Sequence, residues 1–359
     1  MKASLYFTIL MTFALGVAAI SGCAGSTGPV SPGFTNMPPP PPTPAARRLY
    51  VDHNGLLYEY ALPLAPHSKP VRTLNEWPGL ASAPRIAVDS SGNLALASPT
   101  SIRIFAPPIV SLAPSRAKLQ ITLTPAITEI GISGAVLADI EYDPNQNLWL
   151  LNNLGGEVSE LRAPLSKSSV AAVTIEFGAP GSKTAGFSTL VQARFDVNAA
   201  LYVYAQSAAR NRLFKVSFPY AKQPSSMGLD IAQADFVDSS QWAPTAPQQP
   251  SLLLGQYFGQ LHSPKPGSPP SPPVNDLSQF SEPLDPQRGL FPDVHVTTIV
   301  GALVADPLRS SLYALDAANG ALEVYGLPLR SNSTPNISLR CLAGGSNCSH
   351  QSEHEFLAP

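Results

Sequence analysis

The stretch IAVDSSGNLALAS, residues 86–98, places an aspartate and a Ser-Ser-Gly-Asn turn between two short apolar runs. Short apolar runs bounded by turn residues are typical of β-strands. A carboxylate at the start of such a turn can accept hydrogen bonds from backbone N–H groups two residues further on. The stretch therefore predicts a β-hairpin with Asp89 at its turn.

The same pattern returns three times along the chain. It reads IEYDPNQNLWLL at 140–151, ARFDVNAALYVY at 193–204 and, with one extra residue, ALVADPLRSSLYAL at 302–315. The aspartates are Asp89, Asp143, Asp196 and Asp306, separated by 54, 53 and 110 residues, and the last step is twice 55. The spacing indicates repeated structural units, one of which has diverged in sequence.

Two further signatures follow each hairpin pattern. The first is a strand closed by proline: LLYEYALP, SIRIFAPP, EVSELRAP, RLFKVSFP and ALEVYGLP. The second is an outer strand: KPVRTL, KLQITL, AAVTIEF, DIAQADFV, VHVTTIV and NISLRCL. Six outer strands imply six units of four strands. We therefore predict an all-β fold, a six-bladed β-propeller of four-stranded antiparallel blades, over residues 47–359.

The hairpin pattern resembles the NHL repeat, in which a strand, an Asp-x-x-Gly-Asn-Leu turn and a second strand are typical. The resemblance covers roughly residues 49–340 and is weakest around 238–290. It implies the propeller fold and says little about function, because one fold hosts many activities.

The first unit begins with LYVDHNG, which corresponds to a second strand, and no inner strand precedes it. The chain ends in SEHEFLAP, at a suitable distance after the sixth outer strand. We expect residues 352–358 to supply the missing inner strand and to close the ring.

The N-terminus carries one positive residue, Lys2, and an apolar run from Leu5 to about Ile20, as in a secretory signal. The sequence Ile20-Ser21-Gly22-Cys23 resembles the bacterial lipobox. This resemblance implies a lipoprotein signal peptide at 1–22, cleavage before Cys23, and thioether lipidation and acylation (palmitate) of Cys23. An ordinary secretory signal that happens to contain a cysteine is the alternative.

Residues 23–46 are rich in Gly, Ser, Thr and Pro and include five consecutive prolines. Such a composition does not bury a core and is typical of a disordered Pro-rich tether. We expect the protein to bind the membrane through its N-terminal lipid, on the extracytoplasmic side of the cell envelope. Ala24, which follows the cysteine, favours the outer membrane.

The composition argues against nucleic acid as a partner. The chain has 359 residues, 13% charged residues, 39 prolines and a net charge of −2, without a basic cluster. We therefore expect no nucleic-acid partner, since that binding depends on neutralising phosphates.

Cys341 and Cys348, in CLAGGSNC, are predicted to form a small-loop disulfide in an exported protein.

The hairpin aspartates Asp89, Asp143, Asp196 and Asp306 are interpreted as structural, because they recur in every well-formed unit whereas a catalytic acid is needed once or twice. We expect no catalytic residue, no metal site and no cofactor. The histidines are scattered without fixed spacing, and the tail sequence SHQSEHE has metal-competent spacing only on a helix.

A Pro-rich stretch at 239–292 lies in the diverged fifth unit and is predicted to be a long loop. Long loops inside compact folds are often functional. Its aromatic residues are candidates for binding a protein or glycan partner: Trp242, Tyr257, Phe258 and Phe280. A plain spacer or a diverged strand is the alternative.

The function that these observations favour is a membrane-anchored extracytoplasmic lipoprotein that presents a propeller as a binding or scaffold module. The alternative is an extracytoplasmic propeller enzyme that resembles gluconolactonases or streptogramin lyases, although their ligand and base motifs do not match this chain.

Overall fold

In the computed structural model, all the described strands lie within the compact unit Pro44–Pro359. The structure describes residues 47–53, 56–75, 85–98, 100–123, 137–153, 156–178, 180, 184–187, 189–196, 198–207, 211–220, 229–230, 242–244, 252–259, 274–281, 294–297, 300–306, 309–316, 320–339 and 357–358. The predicted signal peptide and tether, Cys23, Cys341 and Cys348 lie outside the described residues. In the described ranges, no helix is long and apolar enough to span a membrane.

The described chain is built almost entirely of strands. The first twelve are β1 Arg48–His53, β2 Leu56–Ala61, β3 Arg72–Asn75, β4 Arg85–Val88, β5 Leu94–Ser98, β6 Ser101–Phe105, β7 Leu119–Thr122, β8 Leu137–Tyr142, β9 Leu148–Asn152, β10 Glu157–Leu161, β11 Ala171–Glu176 and β12 Thr189–Phe195. The others are β13 Leu201–Gln206, β14 Asn211–Val216, β15 Leu229–Asp230, β16 Trp242–Pro244, β17 Leu252–Gly259, β18 Val274–Ser281, β19 Val294–Thr297, β20 Val300–Asp306, β21 Ser311–Asp316, β22 Ala321–Gly326, β23 Ile337–Leu339 and β24 Leu357–Ala358. A single turn of 3-10 helix, Pro114–Arg116, lies between β6 and β7.

These strands form six four-stranded antiparallel sheets. Sheet 1 has the order β24-β1-β2-β3, and sheets 2 to 6 are β4–β7, β8–β11, β12–β15, β16–β19 and β20–β23, each in chain order. Successive strands are joined as hairpins, which is the connection that antiparallel pairs allow. The architecture is a β-propeller with four-stranded antiparallel blades, and the predicted all-β fold is confirmed.

The core lies between neighbouring sheets rather than inside any one of them. Trp149 and Val158 of sheet 3, for example, share an apolar cluster with Phe214 of sheet 4, and similar clusters join sheets 6 and 1, 1 and 2, and 2 and 3. Because sheets 1 to 3 are covered on both sides, several of their strands are buried at every position, as in β5, LALAS. The first strands contact each other in the order β24, β4, β8, β12, β16, β20 and back to β24.

The C-terminal end of the chain completes sheet 1. In β24, Leu357 pairs with Val51 and Ala358 pairs with Tyr50 of β1, in antiparallel register. The expectation that the C-terminus supplies the inner strand of the first unit is confirmed for these two residues, and residues 352–356 lie outside the described part.

Three segments of the predicted loop at 239–292 are strands, namely β16, β17 and β18 of sheet 5, in agreement with the alternative of a diverged strand. Trp242 lies in β16, Tyr257 and Phe258 in β17, and Phe280 in β18. Strand β17 pairs with β18 over its full length of eight residues. The prolines misled the prediction because most of them fall between these strands, and Pro244 ends the short strand β16.

Two kinds of turn lie together at one end of the sheets. The hairpin from the first to the second strand contacts the turn from the third to the fourth strand, which carries the recurring proline. Ala163 N–H donates to Asn147 Oδ1 at 3.1 Å in sheet 3, and Leu327 N–H donates to the Ser310 carbonyl at 2.7 Å in sheet 6. Neighbouring sheets meet at the same end, since Ser90 N–H donates to Gln146 Oε1 at 2.6 Å. We call this end the hairpin face.

Candidate functional site

The hairpin aspartates organise their own turns. Asp89 Oδ1 accepts hydrogen bonds from the backbone N–H groups of Ser91 and Asn93, both at 2.8 Å, and Oδ2 accepts one from Asn93 Nδ2 at 2.6 Å. Asp196 Oδ1 accepts from Asn198 N–H at 2.9 Å and Ala200 N–H at 2.8 Å. These carboxylates are engaged by the turn, which leaves them little capacity to bind a ligand.

Asp143 is the most deeply integrated of these aspartates. Its carboxylate accepts from Asn147 N–H and Asn147 Nδ2, both at 2.9 Å, and from Trp149 Nε1 at 3.1 Å. Asn147 Nδ2 also donates to Glu160 Oε1 at 2.7 Å. One aspartate therefore fixes the turn and an indole of the core together.

A different set of charged residues lies on the inner strands of three consecutive sheets. Asp139 and Glu141 are on β8, Arg194 is on β12, and Arg85 is on β4. We call these four residues the inner cluster. They lie where the first strands of neighbouring sheets contact each other, near the centre of the propeller.

Arg194 links the two carboxylates of the inner cluster. Its Nη1 lies 2.5 Å from Asp139 Oδ2 and 3.2 Å from Glu141 Oε2. Asp139 also accepts from Ile140 N–H at 3.0 Å and from Ala193 N–H at 3.1 Å, the latter across the boundary between sheets 3 and 4. Arg85 Nε donates to the Leu137 carbonyl at 3.4 Å. Asp139 is thus held at several points, whereas Glu141 forms an ion pair with Arg194.

Glu141 has unusual acid–base properties. Its side chain is 29% exposed, against 2% for Asp139. Burial among the inner strands raises the pKa of Glu141 to about 7, with a further rise from Asp139 and an opposing effect from Arg194. The pKa of Arg85 is lowered by burial, against the attraction of Asp139 and Asp52. The pKa of Arg194 is raised although burial opposes it, because Asp139 and Glu141 outweigh that effect.

These properties define what the inner cluster can do. A carboxyl group with a pKa near 7 can donate or accept a proton at neutral pH. The neighbouring guanidinium groups donate hydrogen bonds and accept none. Opposite charges nearly balance, so the cluster is suited to neutral ligands that carry hydroxyl groups rather than to ions.

The structure does not bring a metal-ligand set together among the residues it describes: no group of three His, Cys, Asp or Glu there could hold an ion. The predicted disulfide cysteines and the histidine-rich tail fall in undescribed segments. Trp242, Tyr257, Phe258 and Phe280 lie in sheet 5, and their role in partner binding stays a prediction.

Sequence reasoning missed the inner cluster, although a signal for it was present. Counted back from the hairpin aspartate, the second and fourth positions carry Ala87 and Arg85 in sheet 2, and Glu141 and Asp139 in sheet 3. In sheet 4 they carry Arg194 and Gln192. Charged residues in otherwise apolar inner strands were the available clue.

Comparison with known proteins gives the fold alone. No protein-family model matches the chain, and no curated protein matches it. Among solved structures, a protein of unknown function from Bacteroides caccae aligns with a TM-score of 0.50 and 10% identity, over 88% of this chain and 99% of that one. Hydrazine synthase from Kuenenia stuttgartiensis aligns at 0.47 with 9% identity, over 76% and 71%. A putative 6-phosphogluconolactonase from Bacteroides fragilis aligns at 0.44 with 14% identity, over 79% and 77%.

Proposed function

We propose that the protein is a lipid-anchored, extracytoplasmic lipoprotein in which six sheets form a six-bladed, NHL-like propeller that binds a neutral glycan at its inner strands. The binding role is inferred from the position of Glu141. It is the partly exposed carboxyl group of a cluster that is otherwise locked by hydrogen bonds between sheets. The lipobox-like sequence ending at Cys23 supports the anchor.

The chemistry of the inner cluster favours an uncharged ligand over an ionic one. An ionised ligand would meet Arg194 and Glu141 together, and the attraction to one would be offset by repulsion from the other. Sugar hydroxyl groups both donate and accept hydrogen bonds, so a glycan can satisfy a carboxyl and a guanidinium group at once. A low overall charge agrees with this choice.

The binding proposal is tested with uncharged oligosaccharides on a glycan array and by titration calorimetry. Glu141→Ala should weaken binding of a captured glycan by about tenfold, as expected for loss of a hydrogen bond to a charged group. Glu176→Gln, on the outer strand β11, is the matched control and should bind as the parent does. Failure of every oligosaccharide to bind, or binding that Glu141→Ala leaves intact, would contradict the proposal.

The anchor is tested separately by mass spectrometry and fractionation. The parent chain should carry a diacylglyceryl group and an N-acyl chain on Cys23 and should sediment with membranes, since two or more chains hold a protein stably. Cys23→Ser should move the protein to the soluble fraction. Membrane retention of that variant would argue against the lipid anchor.

An enzyme of the lactonase or lyase type is the second candidate, and one observation favours it. The pKa of Glu141 near 7 is suited to a general acid or base at neutral pH. Lactone hydrolysis by the purified protein, abolished by Glu141→Gln and with a stoichiometric divalent ion in elemental analysis, would establish this function instead of pure binding.

A further inference from the structure

The turns that carry the recurring proline are alike in sequence and structure. In sheets 1, 3 and 6 they read PLAPHS, PLSKSS and PLRSNS, beginning at Pro63, Pro164 and Pro328. In each, the serine hydroxyl accepts a backbone N–H at 2.8 Å, from Ala65, Ser166 and Arg330 respectively. These closed turns present the intervening residues to solvent in a fixed arrangement.

Large exposed apolar residues concentrate in these connections. In the part of the chain that the structure describes, four large hydrophobic residues are exposed, and all lie between a third and a fourth strand: Val71 at 51%, Val110 at 65%, Val170 at 58% and Phe218 at 63% exposed. They belong to four consecutive sheets, 1 to 4. Each of these sheets thus places one large apolar side chain in solvent in the connection next to its proline turn.

The charge of the same connections has one sign in five of the six sheets. Residues 62–71, 106–118, 162–170, 217–228 and 327–336 each contain Lys or Arg, and none contains Asp or Glu. The connection of sheet 5, residues 282–293, differs, since it contains Arg288 together with Glu282, Asp285 and Asp293. Lys69, Lys118, Lys167 and Arg330 are exposed. The carboxylates of the aspartates in the adjoining hairpins accept hydrogen bonds from backbone N–H groups of their own turns. On sheets 1 to 4, the outer surface of the hairpin face therefore combines cationic and apolar side chains.

The described chain begins at this same face. Arg47 is the first described residue and forms an ion pair at 2.8 Å with Asp306, the hairpin aspartate of sheet 6. Its carbonyl accepts from Leu62 N–H at 3.1 Å, at the start of the first proline turn. Arg47 therefore lies at the face that carries the cationic and apolar residues.

We infer that the hairpin face lies against the bilayer and binds anionic lipid headgroups. This inference rests on the proposed lipid anchor. A surface that combines Lys and Arg with exposed apolar side chains matches an anionic membrane interface, where basic residues gain electrostatically and apolar ones enter the headgroup region. The opposite end of the propeller then faces away from the membrane.

The experiment uses the mature chain from residue 23 with Cys23→Ser, which contains the whole compact unit and carries no lipid. It is floated with vesicles of phosphatidylglycerol and phosphatidylethanolamine, and with vesicles of phosphatidylcholine alone. The protein should bind the anionic vesicles and be released by salt. The double variant V110D/V170D should lower the partition coefficient by about tenfold or more, because it removes apolar contacts and adds repulsion.

Thr122→Asp is the matched control, since Thr122 is exposed but pairs with Ser101 at the opposite end of sheet 2. It should bind as the parent chain does. No binding to anionic vesicles, equal loss with Thr122→Asp, or a dimer in solution that V110D/V170D dissociates would each overturn the inference. Mass spectrometry measures independently whether Cys23 of the natural chain carries a lipid. The proposed lipid anchor and the proposed membrane contact of the hairpin face can therefore fail separately.

Discussion

Arg47 donates hydrogen bonds to both carboxylate oxygens of Asp306, at 2.9 and 2.8 Å, across 259 positions of sequence. The Asp306 side chain is fully buried, and that of Arg47 is one-third exposed. Sheets 1 and 6 also share an apolar cluster that includes Leu49 and Leu315. This pair therefore connects the first described residue to the β20–β21 hairpin of sheet 6.

Replacing Arg47 with alanine should destabilise the propeller by about 2–4 kcal/mol, because it leaves the buried Asp306 carboxylate without its guanidinium partner. Urea denaturation measures the change. The control is Arg162→Ala, which breaks a pair with Glu160 at 3.3 Å in which Arg162 is 66% exposed. That change should cost less than about 1 kcal/mol. Equal costs for the two variants would contradict the importance of the Arg47–Asp306 pair.

Deleting residues 357–359 removes β24 and with it the pairing partner of Tyr50 and Val51. The chain should lose about 1–2 kcal/mol of unfolding free energy, since a few backbone hydrogen bonds at the inner edge of sheet 1 are lost. Deleting Pro359 alone is the control and should have little effect. An unchanged denaturation midpoint in the longer deletion would mean that β24 does not stabilise sheet 1.

Asp143→Ala should cost about 2–4 kcal/mol, because Asn147 and Trp149 Nε1 then lose a buried acceptor. Asp89→Ala should cost less, about 1–2 kcal/mol, since its turn is half-exposed and water can replace the carboxylate. Thermal and urea unfolding of both variants test the order. A larger loss at Asp89 would contradict the role given to burial.

Ala199 has a φ of 59°, in the left-handed region where its turn counterpart in sheet 2 is Gly92, with a φ of 79°. Ala199→Gly should stabilise the protein by about 0.5–1 kcal/mol because it relieves this strain. Ala117→Gly is the control at a φ of −64°. There, glycine should destabilise by a similar amount through its greater freedom in the unfolded chain. Destabilisation at both positions would exclude relief of strain at Ala199.

The raised pKa of Glu141 predicts that the stability of the protein depends on pH. Its pKa rises from 4.5 to about 7 on folding, so the folded state binds the proton more tightly than the unfolded state. The contribution of this proton to the free energy of unfolding is fully present below about pH 4.5 and is lost as the pH rises to about 7. The loss amounts to up to about 3 kcal/mol. Glu141→Gln should flatten this slope and should be the more stable chain at pH 8. Carboxyl NMR that places the Glu141 pKa near 4.5 would contradict the prediction.

The repeat could be read from the sequence because its signals are local. Asp89, the Gly92 turn position and the apolar runs on each side lie within 13 residues, and the same turn chemistry recurs at Asp143 and Asp196. The strands of sheet 5 were harder to recognise. They lack the hairpin aspartate, and prolines flank them. The pairing of β17 with β18 is therefore evident from the structure and not from the sequence pattern.

The sequence alone thus established the propeller, because strand period, turn residues and proline positions act over a few residues. The inner cluster and the Arg47–Asp306 pair required the folded chain. Arg194 and Asp139 are 55 positions apart, and Arg47 and Asp306 are 259 apart. Charged residues at such separations become partners when sheets pack around a common centre, and burial there raises the pKa of Glu141. That packing turns ordinary charged residues on three strands into a candidate binding site.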